Sequence, residues 1–272
     1  MTRISVIMGI YNCSSTLPEA IESLINQTYK NWNLVMCDDG SEDNTYEAAK
    51  KYQERYPDKI ILIKNERNMG LNYTLNRCLK HADGEYIARM DGDDISLPER
   101  LEKEVDFLDS HPEYAIVSPL VMHFDENGVF SVGRAGGEPD IRNFPKKSPF
   151  CHAACMIRRE AYDEVGGYTE SPKVLRVEDR DLWIKLYEKG YRGFVLSMPL
   201  YMVRDDKNAY SRRTFQNRVN SARVVASTVK RLGLPKKYYI WALRPIIVWL
   251  LPPPLYMFLH KRKWRYGIKP SS

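Results

Sequence analysis

Strand-length apolar runs alternate with helical patterns over the first 120 residues of this 272-residue chain. Four runs, at residues 4–8, 34–37, 60–63 and 86–90, are together rich in Ile and Val, as in strands that are covered on both faces. Helical segments between them give the order βαβαβαβ, which is typical of a parallel sheet flanked by helices. The sequence therefore predicts an α/β fold.

Two segments carry the signature of a helix start. At residues 16–19 and 96–99, a hydroxyl side chain stands three positions before a glutamate, with a proline between them. This spacing is typical of a capping box, and proline is tolerated in the first turn because its missing N–H would have no partner there. We therefore expect helices to begin at Thr16 and Ser96.

The pattern loosens after Leu120. Residues 125–128 (Asp-Glu-Asn-Gly) indicate a turn between short strands, and residues 178–189 and 211–232 indicate helices. The second of these helices carries an apolar stripe at Phe215, Val219, Ala222, Ala226 and Val229. The stripe predicts that this helix packs against another part of the protein.

Charge is divided unevenly along the chain. Residues 207–272 contain 15 Lys and Arg and no Asp or Glu, and residues 1–206 carry the remaining 26 basic and all 35 acidic side chains, a net charge of −9. This division predicts a main domain, residues 1–206, and a basic helical extension, residues 207–272. The extension suits an anionic membrane surface or a nucleic acid, and an acidic domain that binds an anionic ligand would need a metal ion.

Residues 238–259 are the most apolar stretch and are long enough to span a bilayer as a helix. Pro245 and the prolines at 252–254 would interrupt that helix and leave carbonyls without partners in hydrocarbon, and basic residues follow at 261–263. We therefore expect a segment that lies in the plane of a membrane surface. In the alternative interpretation, these apolar residues pack on the main domain.

Composition narrows the class of protein. With 43% hydrophobic and 28% charged residues, the chain is unlike disordered, collagenous or multi-span membrane proteins. Its five cysteines are an odd number in a chain too long to need disulfides, and the N-terminus lacks the features of a signal peptide. We expect a cytoplasmic, reducing location.

Three carboxylates, Asp91, Asp93 and Asp94, follow the apolar run at 86–90 directly. Ligands of open α/β sheets bind outside the carboxyl ends of the strands, and adjacent carboxylates repel one another unless a cation or solvent screens them. Oxygen ligands at that edge suit Mg²⁺ or Mn²⁺ that holds phosphates. The sequence thus predicts a metal-assisted phosphate site, although a simple turn and helix cap remains the alternative.

Other polar groups are expected at the same edge. Residues 38–41 (Asp-Asp-Gly-Ser) follow the second run, and residues 11–12 (Tyr-Asn) follow the first. Glu178, Asp179 and Asp181 open a later helix, where acidic side chains interact favourably with the helix dipole. Each of these motifs also has a purely structural interpretation, as a turn or an acidic first turn.

Four strings in this order resemble the family-2 inverting glycosyltransferases. They are SVIMGIYN at residues 5–12, DDGS at 38–41, GEYIARMDGDD at 84–94 and EDRDLW at 178–183. The resemblance covers about residues 3–205 and implies a GT-A (Rossmann-like) fold with a mostly parallel sheet. It also implies a nucleotide-diphosphate sugar donor, Mn²⁺ or Mg²⁺ as cofactor, a nucleotide-binding half (about residues 1–95) and an acceptor half (about 96–206).

The resemblance further implies roles for residues that bind the donor. Tyr11 would stack on or near the base and Asp39 would accept a hydrogen bond from a base N–H. Asn68 and Gly70 would lie in a loop that lines the nucleotide pocket. Gly9 departs from the family pattern, which often has Pro, Thr or Ser there, so one base or ribose contact is in doubt.

It implies roles around the reacting atoms as well. Asp91 and Asp93 match the Asp-x-Asp motif, with Asp93 as the metal ligand and Asp91 nearer the ribose and the metal. Asp179 matches the catalytic base, and His152 and Glu178 would lie on the acceptor side.

The expected function is transfer of a hexosyl or N-acetylhexosaminyl group, from a UDP-sugar by preference, to a saccharide or lipid-linked saccharide in cell-surface polysaccharide synthesis. The protein would be peripheral at the inner face of the cell membrane. Alternatives are a Mg²⁺-dependent nucleotidyltransferase, although residues 9–16 hold no Gly-rich basic loop, and a non-catalytic protein that binds membrane or nucleic acid through its basic extension. Nucleic acid is disfavoured because the extension is apolar and Pro-rich. A dehydrogenase lacks its Gly-x-Gly-x-x-Gly motif, and a zinc site at Cys151 and Cys155 lacks a second ligand pair.

Overall fold

One mixed β-sheet organises the computed structural model, which describes residues 2–205 and 214–250. The strands are β1 (Ile4–Ile10), β2 (Trp32–Asp38), β3 (Ile60–Lys64), β4 (Tyr86–Arg89), β5 (Ile95–Ser96), β6 (Ile116–Asp125), β7 (Gly128–Val132), β8 (Met156–Arg158) and β9 (Gly193–Arg204). The helices are α1 (Leu17–Ile25), α2 (Thr45–Arg55), α3 (Leu71–His81), α4 (Arg100–Ser110), α5 (Arg159–Val165), α6 (Glu178–Glu188), α7 (Phe215–Arg231) and α8 (Arg244–Leu250).

The strand order is β3-β2-β1-β4-β8-β6-β9-β5, with β7 paired to β6. The four runs predicted as strands form a parallel half, since β1 pairs in parallel with both β2 and β4, and β2 with β3. The predicted α/β fold is therefore confirmed. The sheet as a whole is mixed, because β8 runs antiparallel to its neighbours β4 and β6, and β5 to β9.

Helices cover both faces of the sheet. Leu24 in α1 and Leu101 in α4 belong to one buried apolar cluster, and Leu75 in α3 and Trp183 in α6 belong to another. This three-layer arrangement explains why the parallel strands are apolar on both sides. None of the five cysteines is in a disulfide.

The register brings three strand ends together. Ile10 at the end of β1 lies beside Asp38 at the end of β2, and Ile7 of β1 lies beside Arg89 at the end of β4. The segments that follow β1, β2 and β4 therefore meet at one edge of the sheet.

The two expected helix starts have different outcomes. Helix α1 does begin beside Thr16, but the Thr16 hydroxyl donates to the carbonyls of Cys13 and Gly92 rather than capping the helix. The start at Ser96 is wrong. Ser96 belongs to β5, where Gln27 donates to its carbonyl and hydroxyl oxygens, and α4 begins only at Arg100.

Helix α7 packs on the main domain, but not through the predicted stripe. Its buried side chains are Asn220, Val224, Val225, Thr228 and Val229, of which only Val229 was predicted. Val224 packs with Val174, Val177 and Ile184. The predicted helix start at 211 lies outside the described residues.

The apolar segment at 238–259 is described as far as Leu250. A 3₁₀ helix, Lys236–Ala242, precedes α8, and the break between them falls at Leu243, which places Pro245 in the first turn of α8, where proline is favoured. Within residues 2–205 and 214–250, no helix combines the length and apolarity needed to cross a membrane. The prolines at 252–254 and the basic residues at 261–263 lie outside the described residues, and the division at residue 206 stays a prediction.

Candidate active site

A cleft of about 480 Å³ opens at the edge where the strand ends meet. This volume is within the range of small-molecule sites. Seven of the predicted site residues line it: Tyr11, Asp39, Asn68, Gly70, Asp91, Asp93 and Glu178. Asp179 and His152 do not line this cleft.

Asp39 holds one wall of the cleft in place. Its Oδ1 accepts from Asn65 Nδ2 at 2.7 Å and from the Met69 amide at 2.8 Å, and its Oδ2 accepts from the Gly70 amide at 2.9 Å. The side chain is buried. Asp39 thereby fixes the loop between β3 and α3, including Gly70, which precedes α3 with a φ of 90°.

Gly40 allows the loops after β2 and β3 to approach each other. Its φ is 71°, and a Cβ atom there would lie 2.6 Å from the backbone carbon of Arg67. A side chain at this position would therefore need a rare left-handed backbone and would collide with backbone that cannot yield locally.

Tyr11 and Asn12 directly follow β1. The Tyr11 ring is 43% exposed and offers a face for stacking at the cleft. Asn12 adopts a φ of 47°, and its Oδ1 accepts from the Glu42 amide at 2.9 Å while its own amide donates to Ser41 Oγ at 3.1 Å. These bonds tie the end of β1 to the loop after β2.

The three carboxylates after β4 converge. One oxygen from each of Asp91, Asp93 and Asp94 lies within 4.8 Å of the others. Burial and repulsion from Asp91 raise the pKa of Asp93, and burial together with repulsion from Asp91 and Asp93 raises the pKa of Asp94. Asp94 is also buried and accepts from the Arg204 amide at 2.9 Å. Compared with Asp91 and Asp93, it therefore contributes more to holding β9 in place than to the cleft.

This cluster fits a divalent cation. Its donor atoms are carboxylate oxygens, which Mg²⁺ and Mn²⁺ prefer. A bound cation would relieve the repulsion that raises the pKa of Asp93. Asp93, half-buried and lining the cleft, and Asp91 beside it are the residues that could hold such an ion.

Arg89 lies in the floor of the cleft and was not predicted. It is only 3% exposed, and its Nη2 lies 2.5 Å from Asp91 Oδ1, while its Nε is buried without a partner. Attraction to Asp91 raises the guanidinium pKa further even though burial opposes it. A basic residue in the otherwise apolar run at 86–90 singles out Arg89 in the sequence, but it does not place the side chain in the cleft.

Glu178 and Asp179 are neighbours in the first turn of α6 with different environments. Glu178 lines the cleft, and its Oε2 is buried without a partner. Burial and repulsion from Asp179 raise the pKa of Glu178. Asp179 Oδ2 accepts from Ser148 Oγ at 2.9 Å, and Trp183 Nε1 donates to the same hydroxyl at 3.1 Å.

Glu178 therefore shares a wall with the residues predicted to bind the donor, although it was predicted on the acceptor side. Asp179 faces the segment at 144–148. The Glu178 carboxylate thus points into the cleft, and the Asp179 carboxylate points toward Ser148.

His152 sits in a buried aromatic cluster. Its Nε2 lies 2.8 Å from the Tyr168 hydroxyl, and its ring packs edge-on against Tyr168 and Trp183. Burial, with a smaller contribution from Arg89, lowers the pKa of His152 well below its usual value. The imidazole is thus neutral and occupied by a structural hydrogen bond, and its predicted place at the acceptor stays a prediction.

Further lining residues come from a loop that no motif marked. Leu175 and Arg176 precede α6 and line the cleft, and Arg176 has a φ of 66°, which is uncommon outside Gly, Asn and Asp. Asn220 in α7 donates to the carbonyl of Pro172 at 2.8 Å. The basic extension thereby supports a wall of the cleft.

Comparison with known proteins gives this geometry a context. The family model described as glycosyl transferase family 2 matches residues 5–166. The chain belongs to glycosyl transferase family 2. Among its relatives, the putative glycosyltransferase EpsE of Bacillus subtilis is 44% identical over 96% of this chain and 94% of its own length. The family-2 assignment identifies the protein as a glycosyltransferase of bacterial polysaccharide type.

A second relative has a more explicit name. WfaP of Escherichia coli, a UDP-Glc:alpha-D-GlcNAc-diphosphoundecaprenol beta-1,3-glucosyltransferase, is 29% identical over 84% of this chain and 87% of its own length. Family membership removes the nucleotidyltransferase and the non-catalytic binding protein as interpretations of the main domain.

Solved structures agree with the GT-A fold. Staphylococcus aureus TarS 1–349 in complex with UDP-GlcNAc aligns with a TM-score of 0.71 and 22% identity, over 89% of this chain and 70% of that one. The mannosyltransferase PcManGT of Pyrobaculum calidifontis, in complex with GDP-Man and Mn²⁺, aligns with a TM-score of 0.65 and 19% identity, over 98% of this chain and 81% of that one.

Proposed function

We propose that this family-2 glycosyltransferase transfers a hexosyl or N-acetylhexosaminyl group from a nucleotide-diphosphate sugar, by preference a UDP-sugar, to an acceptor hydroxyl with inversion at the anomeric carbon. The observation that carries the proposal is the cleft at the strand ends. The cleft contains the Tyr11 ring, on which a base can stack, and Asp39, whose carboxylate holds the loop between β3 and α3. It also contains the converging carboxylates of Asp91 and Asp93. The names of WfaP and of the TarS complex support a UDP-sugar.

The nucleotide would bind along the wall formed by Tyr11, Asp39 and Gly70. Tyr11 would stack on or near the base, and Asp39 would use a remaining lone pair to accept from a base N–H. Asp93, with Asp91, would hold Mn²⁺ or Mg²⁺. When bound, such an ion neutralises negative charge on a departing diphosphate.

Asp179 is the proposed general base. As the acceptor oxygen forms its bond to the anomeric carbon and the bond from that carbon to the diphosphate oxygen breaks, the acceptor proton passes to the Asp179 carboxylate. A single displacement of this kind inverts configuration and needs no covalent enzyme intermediate. Ser148 orients Asp179 by donating to its Oδ2.

The acceptor is proposed to be a saccharide or lipid-linked saccharide in cell-surface polysaccharide synthesis, consistent with the name of WfaP. The basic extension supports a peripheral location at the inner face of the cell membrane, because each Lys or Arg near an anionic surface contributes about 1 kcal/mol.

Thermal unfolding with UDP, GDP, dTDP or CMP, each with and without Mn²⁺, tests the donor proposal. A ligand that binds only the folded protein raises stability by about 2.7 kcal/mol at a hundred times its Kd. We expect stabilisation by UDP that depends on Mn²⁺ and is lost in Asp93→Ala. Absence of a response to every nucleotide would contradict a nucleotide-sugar donor.

A further inference from the structure

The described part of the basic extension exposes a concentrated apolar surface. Six of the 13 exposed large apolar side chains in the described residues lie within residues 239–250, with exposures from 40% to 67%. We call them the C-terminal apolar face: Tyr239, Ile240, Leu243, Ile247, Trp249 and Leu250. The exposed Phe215 ring packs on Trp249 at 4.8 Å and extends this face. Proteins that stay in water seldom expose so many adjoining apolar side chains.

Basic side chains adjoin this face along the chain. Lys236 and Lys237 precede its first residue, Arg244 lies between Leu243 and Ile247, and residues 207–272 contain no acidic side chain at all. An exposed apolar surface edged by cations matches the interface of an anionic bilayer, where apolar groups enter the headgroup boundary and cations meet lipid phosphates.

The C-terminal apolar face is held beside the proposed base. Arg244 Nη1 donates to the Lys146 carbonyl at 3.1 Å, and Lys146 Nζ lies 5.5 Å from the centre of the Trp241 ring. Ser148, only two residues further along and so within about 7 Å of Lys146, donates to Asp179.

Helix α6 also contacts the same segment. Arg180 Nη2 donates to the Phe144 carbonyl at 2.6 Å. Burial lowers the pKa of Arg180, and Arg244 adds to this effect as a neighbouring cation. One short segment, residues 144–148, thus connects the apolar face to the start of α6.

We propose that the C-terminal apolar face rests in the headgroup region of an anionic phospholipid bilayer and places the Asp179 end of the active site next to that surface. The proposal rests on the proposed function for its acceptor: a lipid-linked saccharide could present its hydroxyl to Asp179 while its lipid stays in the bilayer. The proposed donor cleft lies on the Glu178 side of the site, and the donor enters it from the aqueous phase.

Vesicle binding tests the face. Full-length protein is mixed with vesicles of phosphatidylcholine alone or with phosphatidylglycerol added, and bound protein is separated by flotation. We expect binding only to the anionic vesicles, and at least tenfold weaker partitioning for the double variant Leu243→Gln/Ile247→Gln. The matched control, Val129→Gln/Val132→Gln, removes two exposed apolar side chains from β7 and is expected to bind like the parent protein.

Fluorescence quenching tests the orientation. A fluorophore on Lys147→Cys, in the connecting segment, should be quenched by spin-labelled lipid, and one on Asp58→Cys should not. Asp58 precedes β3 and so lies at the opposite edge of the sheet from the strand ends. Burial raises the pKa of the Cys13 and Cys151 thiols to about 12, which keeps them slow to label at neutral pH.

Three results would overturn the proposal. They are parent protein that stays unbound at low salt, face variants that bind like the parent, and equal quenching at the two labelled positions. A dimer that the face variant dissociates, without vesicle binding, would make the face a protein interface instead. Failure of UDP and Mn²⁺ to stabilise the protein would contradict the proposed function and leave the vesicle result as it stands.

Discussion

At the residue scale, two adjacent carboxylates divide the active site. Successive residues of a helix point about 100° apart, so the first turn of α6 sends Glu178 into the donor cleft and Asp179 toward Ser148. The resemblance assigns the general base to Asp179. Glu178 is the residue to compare with it, because its Oε2 is buried without a hydrogen-bond partner.

Asp179→Asn should lower kcat by about 10² to 10⁴, the usual contribution of a general base, with the donor KM nearly unchanged. Glu178→Gln, which keeps the side-chain shape, should act mainly on the donor KM because Glu178 lines the donor cleft. Steady-state kinetics of both variants measures kcat and the donor KM separately. Normal turnover by Asp179→Asn, together with loss of kcat in Glu178→Gln, would move the base to Glu178.

His152 should make the protein less stable in mild acid. The fold keeps this imidazole neutral, so the unfolded chain takes up a proton that the folded protein does not, and stability falls as the pH drops below about 6.5. Between pH 7.5 and 5.0 the loss is up to about 2 kcal/mol.

Urea unfolding of the parent and of His152→Gln at both pH values isolates this effect, because the carboxyls that titrate in the same window are common to both proteins. A parent protein whose pH dependence equals that of the variant would mean that His152 takes up a proton as readily in the folded protein as in the unfolded chain.

At the scale of elements, the loops after β2 and β3 depend on one glycine. Gly40→Ala should destabilise the protein by more than the roughly 1 kcal/mol of a left-handed alanine, since its Cβ would also meet the Arg67 backbone. Gly190→Ala is the matched control, because Gly190 has a φ of 89° and a Cβ added there would meet no atom within 4 Å. Chemical unfolding and UDP binding of both variants make the comparison. Equal losses in stability would show that the contact with Arg67 is unimportant.

The elements that the sequence predicted well are those with a strong local pattern. The four parallel strands and α6 were visible because double burial demands apolar runs and because the acidic start of α6 suits the helix dipole. The start of α4 was missed because Gln27, distant in the chain, binds Ser96 and draws it into β5. The buried face of α7 was missed because it includes Asn220 and Thr228, which a purely apolar stripe leaves out.

In the candidate site, too, the sequence predicted what depends on local pattern and missed what depends on contacts in the folded chain. Residues that directly follow strands, such as Tyr11, Asp39 and Asp91, could be placed at one edge from topology alone. Arg89 and Arg176 could not, because their place in the cleft depends on ion pairing and on an unusual backbone conformation that short motifs do not encode.

At the scale of the whole molecule, helix α7 supports a wall of the candidate active-site cleft. Asn220 is buried and donates to Pro172, whose loop continues into Leu175 and Arg176 in the cleft wall.

Asn220→Ala should raise the donor KM severalfold and destabilise the protein by about 1 kcal/mol, because the hydrogen bond from the buried Asn220 side chain to the Pro172 carbonyl is lost. Thr228→Val is the control, since that buried hydroxyl bonds only to the Val224 carbonyl within α7. Kinetics at varied donor concentration distinguish the two. An unchanged KM in Asn220→Ala would show that the loop keeps its conformation without the Asn220 hydrogen bond.

The three hydrogen bonds accepted by Asp39 have a consequence for the thermodynamics of donor binding. Ordering a free loop would oppose association by about 1–2 kcal/mol for every residue fixed. Asp39 holds Asn65, Met69 and Gly70 in place through the protein's own contacts. The conformational entropy of this wall is therefore lost when the chain folds, and the proposed nucleotide donor would meet a preorganised surface.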